Sequence, residues 1–365
     1  MSDILDAIQL ICVNLGRQAL ATFLAPGSHF SLLSLLAALC VATLVLALRR
    51  RPRALPVRVL VRALLPRGLF RHPSSRADVG MFLFNALVAG AMFGGLLVSA
   101  SFIAQGTVHA LGAAFGPQAP SVLPGALLAA VATLLLYLAY EFAYWLDHML
   151  MHRFAFLWPF HAVHHGAERL TPLTNFRVHP VDTILFYNLV ALITGAVRGA
   201  LDYGYGPGHE WTVGGANLLV MVSVFLVLHL QHSELWIAFP GRWGKVFLSP
   251  AHHQVHHSAD PRHFNRNFGA SLALFDRLFG TLHVPGAKRE VTRFGIGPVD
   301  YDPHGVTGTL VTPFAEAGTA ALRSLRQVWR PKIKRTHAAA PAAPAHSASS
   351  DRTPATRPAS AAPAV

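Results

Sequence analysis

Residues 123–165 read LPGALLAAVATLLLYLAYEFAYWLDHMLMHRFAFLWPFHAVHH. No charge appears before Glu141, and at about 1.5 Å per helical residue the apolar run can cross about 30 Å of hydrocarbon. The end of the stretch differs in kind, because His148, His152, His161, His164 and His165 follow in close order. An apolar span that runs straight into clustered imidazoles is a membrane helix delivering them to one face of a bilayer.

The rest of the chain agrees with that reading. Of 365 residues, 53% are hydrophobic and only 13% charged, against about 25% charged in a typical soluble domain. Mean hydropathy is positive. A soluble globular protein and a mainly disordered chain are both excluded. Residues 30–48 and 81–104 form two further spanning blocks beside 123–146. Weaker blocks at 184–197 and 214–228 form either two more spans or a shallow hairpin. Ile4, Leu5, Ile8, Ile11, Cys12 and Leu15 recur at helical spacing, which predicts an amphipathic helix at the interface. Cys12 and Cys40 are too few for an iron–sulfur cluster or a disulfide framework. From residue 337 the sequence turns to Ala, Pro and Ser without periodicity, which predicts a disordered tail.

Charge orients these blocks. The formal net charge is +13, and nine arginines lie between Arg49 and Arg76. The stretch 105–122 has no Lys, Arg, Asp or Glu. Basic residues in short loops mark the cytoplasmic side. The Arg-rich loop, the histidines and the C-terminus are therefore expected in the cytoplasm, with 105–122 outside. Much of the positive charge is thus a topology signal, and no nucleic acid partner is implied. The expected fold is an all-α integral membrane protein with about three full transmembrane helices, a shorter helical pair and a cytoplasmic helical cap carrying the histidines. Five segments follow: an amphipathic start (1–27), membrane helices with the Arg-rich loop (28–122), the histidine-bearing domain (123–300), a C-terminal extension (301–336) and the tail (337–365).

Thirteen of the 21 histidines fall between 148 and 257. His148 and His152 stand four apart, on one helical face. HAVHH (His161, His164, His165) and HQVHH (His253, His256, His257) share the spacing H-x-x-H-H. His179, His229 and His232 lie between them. Neutral imidazole suits iron, zinc, copper and nickel. One such pair arises readily by chance, but three motifs on one expected face do not read as solvated surface histidines.

With these motifs, in this order among apolar blocks, the chain resembles the fatty acid hydroxylase/sterol desaturase superfamily of membrane di-iron oxygenases. The resemblance covers roughly 125–290 and extends to LWPFHAVHHG, NFRVHP, SPAHHQVHH and NFGASLALFDRLFGT. It implies that His148, His152, His161, His164, His165, His253, His256 and His257 bind two iron ions. His232, in QHSEL, falls where many relatives carry a further histidine, and is taken as a ninth ligand. Relatives commonly have Arg after the first box histidine, whereas Met149 stands here.

The chemistry is consistent with that resemblance. Attack on an unactivated C–H bond is beyond side-chain acids and bases, while iron with O2 can achieve it. Zinc can replace iron in such a site during purification. Metal-bound imidazoles usually donate their second N–H to a carboxylate or carbonyl. Glu141, two turns before His148, is the first candidate for that role, with His179 and His229 beside it; Asp147, Asp182, Glu234 and Asp276 are weaker candidates. The implied function is a membrane non-haem di-iron oxidoreductase that hydroxylates or desaturates an apolar lipid drawn from the bilayer. Without a recognisable haem, flavin or iron–sulfur domain, its electrons come from a separate donor protein. The alternative is a zinc-dependent membrane hydrolase, but a catalytic zinc needs only three protein ligands.

Overall fold

The structure, a computed structural model, describes residues 20–50, 55–64, 68–117 and 125–328, with a few isolated positions before residue 20. The expected amphipathic helix over 4–15, part of the Arg-rich loop and the tail from 337 lie wholly or largely outside the described residues.

Helices dominate: α1 (Leu32–Arg50), α2 (Val57–Leu64), α3 (Pro73–Phe84), α4 (Ala100–Phe115), α5 (Gly125–Arg153), α6 (Trp158–His165), α7 (Pro180–Tyr205), α8 (Leu218–Gln231) and α9 (Pro250–His256). Among the described residues, four stretches are long and apolar enough to cross a membrane: α1, Gly94–Phe115, α5 and α7. The only strands among the described residues are two of two residues each, Thr212–Val213 and Ala216–Asn217, which pair as a hairpin between α7 and α8.

Two boundaries differ from the sequence expectation. The block 81–104 is not one helix, because it passes through a π turn at Asn85–Ala89 and a 3-10 turn at Gly94–Leu96 before α4 begins. The break is stabilised from outside. Asn188 of α7 accepts from the Val98 amide (2.7 Å) and donates to the Leu96 carbonyl (3.0 Å), and Ser99 caps α4 through Phe102 N (3.0 Å). These bonds satisfy backbone groups that the interrupted helix leaves free. As a result α4 runs to Phe115, through much of the stretch expected as an outer loop.

The second difference is α7. The weak block 184–197 lies inside a 26-residue helix, while its partner α8 is a shorter apolar helix with a π turn at Val224–Leu228. Polar ends concealed its length: His179 caps it, Pro180 opens it, and Arg198 pairs with Glu210 beyond its C-terminus. Gly195 and Gly199, one turn apart, let α4 approach closely. A Cβ at either would overlap the backbone of Ala100 or Ala104. Small residues at this spacing are a common means of packing helices in lipid.

The helix ends sort onto two sides. Tyr203, at the end of α7, donates to Gly116 O (3.0 Å), so the C-terminal ends of α4 and α7 lie together. At the other end Arg49 of α1 donates to the carbonyl of Trp236, beside the histidines. The Arg-rich end of α1 and the histidine cap thus lie together, as the charge pattern predicts. α5, about 43 Å long at about 1.5 Å per residue, exceeds the hydrocarbon thickness, and its last turns reach the cap. The cap has its own apolar core of Ala167, Leu170, Trp236, Ala251, Val255, Val291 and Phe294. Each large member contributes about 1.5–3 kcal/mol on burial.

Candidate metal centre

The nine histidines come from three helices and one helix end. α5 supplies His148 and His152, α6 supplies His161, His164 and His165, α9 and its C-cap supply His253, His256 and His257, and His232 follows α8. They converge in two groups. The first is His148, His152, His161, His165 and His256; the second is His164, His232, His253 and His257. Within each group one nitrogen per ring lies within 4.8 Å of all the others. Each H-x-x-H-H motif is split between the groups. Its i, i+4 pair shares a helical face and stays together (His161 with His165, His253 with His257), while the remaining histidine turns to the other group.

The spacing fits metal ions. Nε2 of His165 lies 3.1 Å from that of His152 and 3.0 Å from that of His256. In the second group, Nε2 of His232 lies 3.2, 2.9 and 3.2 Å from those of His164, His253 and His257. Nitrogens about 2.1 Å from one ion stand about 3.0–3.4 Å apart for octahedral to tetrahedral angles. Nε2 of His148 and of His161 are buried with no hydrogen-bond partner, a costly state that an ion would relieve.

Partners on the far side of three rings fix which nitrogen faces inward. Nδ1 of His148 donates to Phe268 O (2.9 Å), and Nδ1 of His256 to Arg266 O (2.8 Å). Nδ1 of His161 lies 2.8 Å from Asp182 Oδ2. A carbonyl can only accept, so the Nδ1 protons are committed there and the Nε2 lone pairs point into the groups. Burial and neighbouring imidazoles push His164, His165, His253 and His257 well below the usual histidine range, and His232 and His256 to about 3. The cap therefore holds neutral, ligand-competent rings.

The expected supporting residues act differently from one another. Glu141 does not bond a box histidine. Its carboxylate accepts from Ser271 N (3.2 Å), Leu272 N (2.9 Å) and the Ser271 hydroxyl. Asp276 accepts from Phe268 N and Gly269 N, both at 2.9 Å. The two buried acids thus hold the 268–272 turn, whose Phe268 carbonyl orients His148. His179 caps α7 through Val181 N (3.1 Å) and reaches Leu310 O (3.3 Å), and His229 bonds Ser34 (3.0 Å), so neither bonds a box histidine. His252 sits among the third-box histidines but caps α9 through Ser249 N (3.0 Å).

Arg177 is the residue that sequence reasoning passed over. Fully buried, it donates to Val163 O of α6 (2.7 Å), Ser74 O of α3 (3.2 Å) and Pro303 O (2.8 Å), and pairs with Asp78 at 3.4 Å. Burial lowers its affinity for a proton, and the Asp78 carboxylate opposes that shift. Its place in NFRVHP was the only available signal.

The family model for fatty acid hydroxylases matches residues 133–281. An ornithine lipid hydroxylase of Rhizobium tropici is 32% identical over 179 residues, 49% of this chain and 49% of that protein. Alkylglycerol monooxygenases of Caenorhabditis elegans and Homo sapiens are 27% and 24% identical, over 40% and 42% of this chain and 25% and 31% of theirs. The matched region spans half or less of each of these curated relatives. No solved structure matches the chain significantly. Residues 133–281, which contain all nine box histidines, are thus similar to the fatty acid hydroxylase family.

Proposed function

We propose that this chain is a membrane-bound, non-haem di-iron oxidoreductase that uses O2 and external electrons to hydroxylate a lipid. The observation that carries this reading is the pair of adjacent all-histidine groups at the end of a membrane span. The relatives' names, an ornithine lipid hydroxylase and alkylglycerol monooxygenases, favour hydroxylation over desaturation. They also favour a substrate with an aliphatic chain and a polar head.

Iron held by these histidines would supply O2 activation, placing one oxygen atom in a C–H bond and reducing the other to water with two electrons and two protons. The chain's own part is positional. His148, His152, His161, His165 and His256 would hold one ion, and His164, His232, His253 and His257 the other. Asp182 and the carbonyls of Phe268 and Arg266 keep three of these rings turned inward. Eight of the nine histidines are buried, whereas His152, its ring tilted against Trp158 at 4.9 Å between centroids, is only partly so. His152 is thus the box ring nearest the surface, while the four-histidine group stays enclosed. In this reading the catalytic unit is 123–300, followed by the extension 301–336, with its boxes and the C-terminus in the cytoplasm, where a separate donor protein delivers electrons.

Lipid profiles of cells with and without the gene test the reaction. A lipid gaining one oxygen atom is expected; loss of two hydrogens instead would make the enzyme a desaturase. If His161→Ala and His256→Ala proteins kept full activity, the di-iron reading would fail.

A further inference from the structure

A third cluster lies apart from the nine box histidines. His263 ends the turn Pro261–His263, and His283 and Glu290 lie on the segment that passes it. One ligand atom from each of the three falls within a common 4.8 Å. The rings of His263 and His283 have centroids 5.4 Å apart, and His283 Nε2 lies 2.8 Å from Glu290 Oε2.

A surface ion pair accounts for His283 and Glu290, whose side chains are 34% and 31% exposed. It does not account for His263, which is 5% exposed and whose Nδ1 is buried without a partner. A buried polar atom left unpaired is costly. The cluster is also fixed in place. Glu290 Oε1 accepts from Gly286 N, His283 N donates to Asn267 Oδ1 (2.7 Å), and His263 N donates to Asp260 O (2.9 Å). The nearby Arg262 guanidinium is committed to Asp260 through bonds of 2.6 and 3.1 Å.

We propose that His263, His283 and Glu290 form a third metal site, for a single divalent transition ion of the zinc class. Two imidazoles and a carboxylate are a familiar three-ligand set for that ion, with water completing the shell. The site would clip 261–263 to 283–290 across Asn267. That residue also donates to His252 O (3.0 Å) and sits between Arg266 and Phe268, whose carbonyls orient His256 and His148. The bound ion is structural, steadying the loop from which two box rings are aimed.

The test is a metal count on the full-length protein in detergent, stripped with chelator, reloaded with Zn2+ alone and washed. Glu290→Gln, which keeps the side-chain shape, and His283→Ala should each hold one zinc per chain fewer than the parent. The double variant should also lose only one. The same single loss should appear when Glu290→Gln is placed in a His164→Ala/His257→Ala background, so the result does not depend on how the boxes load. A parent that holds one zinc, lost in Glu290→Gln, would sustain this site while defeating the two-ion reading of the boxes. Equal zinc in the parent, Glu290→Gln and His283→Ala would overturn the proposal.

Discussion

Asp182 Oδ2 stands 2.8 Å from Nδ1 of His161, joining the first turn of α7 to the middle of α6. Both side chains are nearly inaccessible to solvent. The carboxylate holds the ring in the orientation and tautomer that direct Nε2 toward the five-histidine group. Asp182→Asn should keep the fold and lower activity or iron affinity by about 10–100-fold, because a neutral amide supports the ring less well. Activity and iron content measured on the same preparation check this. Unchanged values in both would remove Asp182 from the site.

Adjacent histidines should behave as opposites. His253→Ala deletes a ring of the four-histidine group and is expected to reduce product to background. His252→Ala removes a helix cap instead, at a cost of about 1–2 kcal/mol. It should lower the thermal midpoint while leaving measurable activity and full metal content in the surviving protein.

Glu141→Gln should be felt at a distance. The amide retains one acceptor for the Ser271 and Leu272 amides but presents a donor where the carboxylate had accepted. A loss of about 1–3 kcal/mol in stability is expected, with the iron count retained. Thermal unfolding in detergent beside metal analysis reads both quantities. Selective loss of one iron without destabilisation would place Glu141 in contact with the metal.

Reporter fusions at 117 and at 340 should give opposite signals. Gly116 lies at the Tyr203 end of the molecule and Arg49 at the histidine end, and basic residues in short loops favour the cytoplasm for that second end. Matching signals would break the assignment.

The sequence made some of this plain and concealed the rest for physical reasons. The box histidines and the two-sided arrangement were legible because they rest on local spacing and charge. The break at 97–99 was not, since nothing near Gly94 and Gly95 announces that Asn188, 90 residues on, satisfies the freed backbone. The helical spacing of Glu141 and His148 pointed to a direct bond. What joins them is instead the 268–272 turn, contributed by chain 120 or more residues away. Asp182 was available as a candidate, but only the packing of α7 beside α6 distinguishes it from Asp147.

The division of each H-x-x-H-H motif between the two groups bears on how the protein is made. The five-histidine group lacks a member until His256 has been synthesised, and the four-histidine group until His253 and His257 have been. Asp276, which steadies the turn behind His148, comes later still. Arg177, which grips α6 through Val163, lies 126 residues before its partner Pro303. A chain that ends before the third box holds four of the five rings of the first group but only two of the four of the second. Completion of both groups therefore waits for residues 253–257, which follow all four apolar spans in the chain.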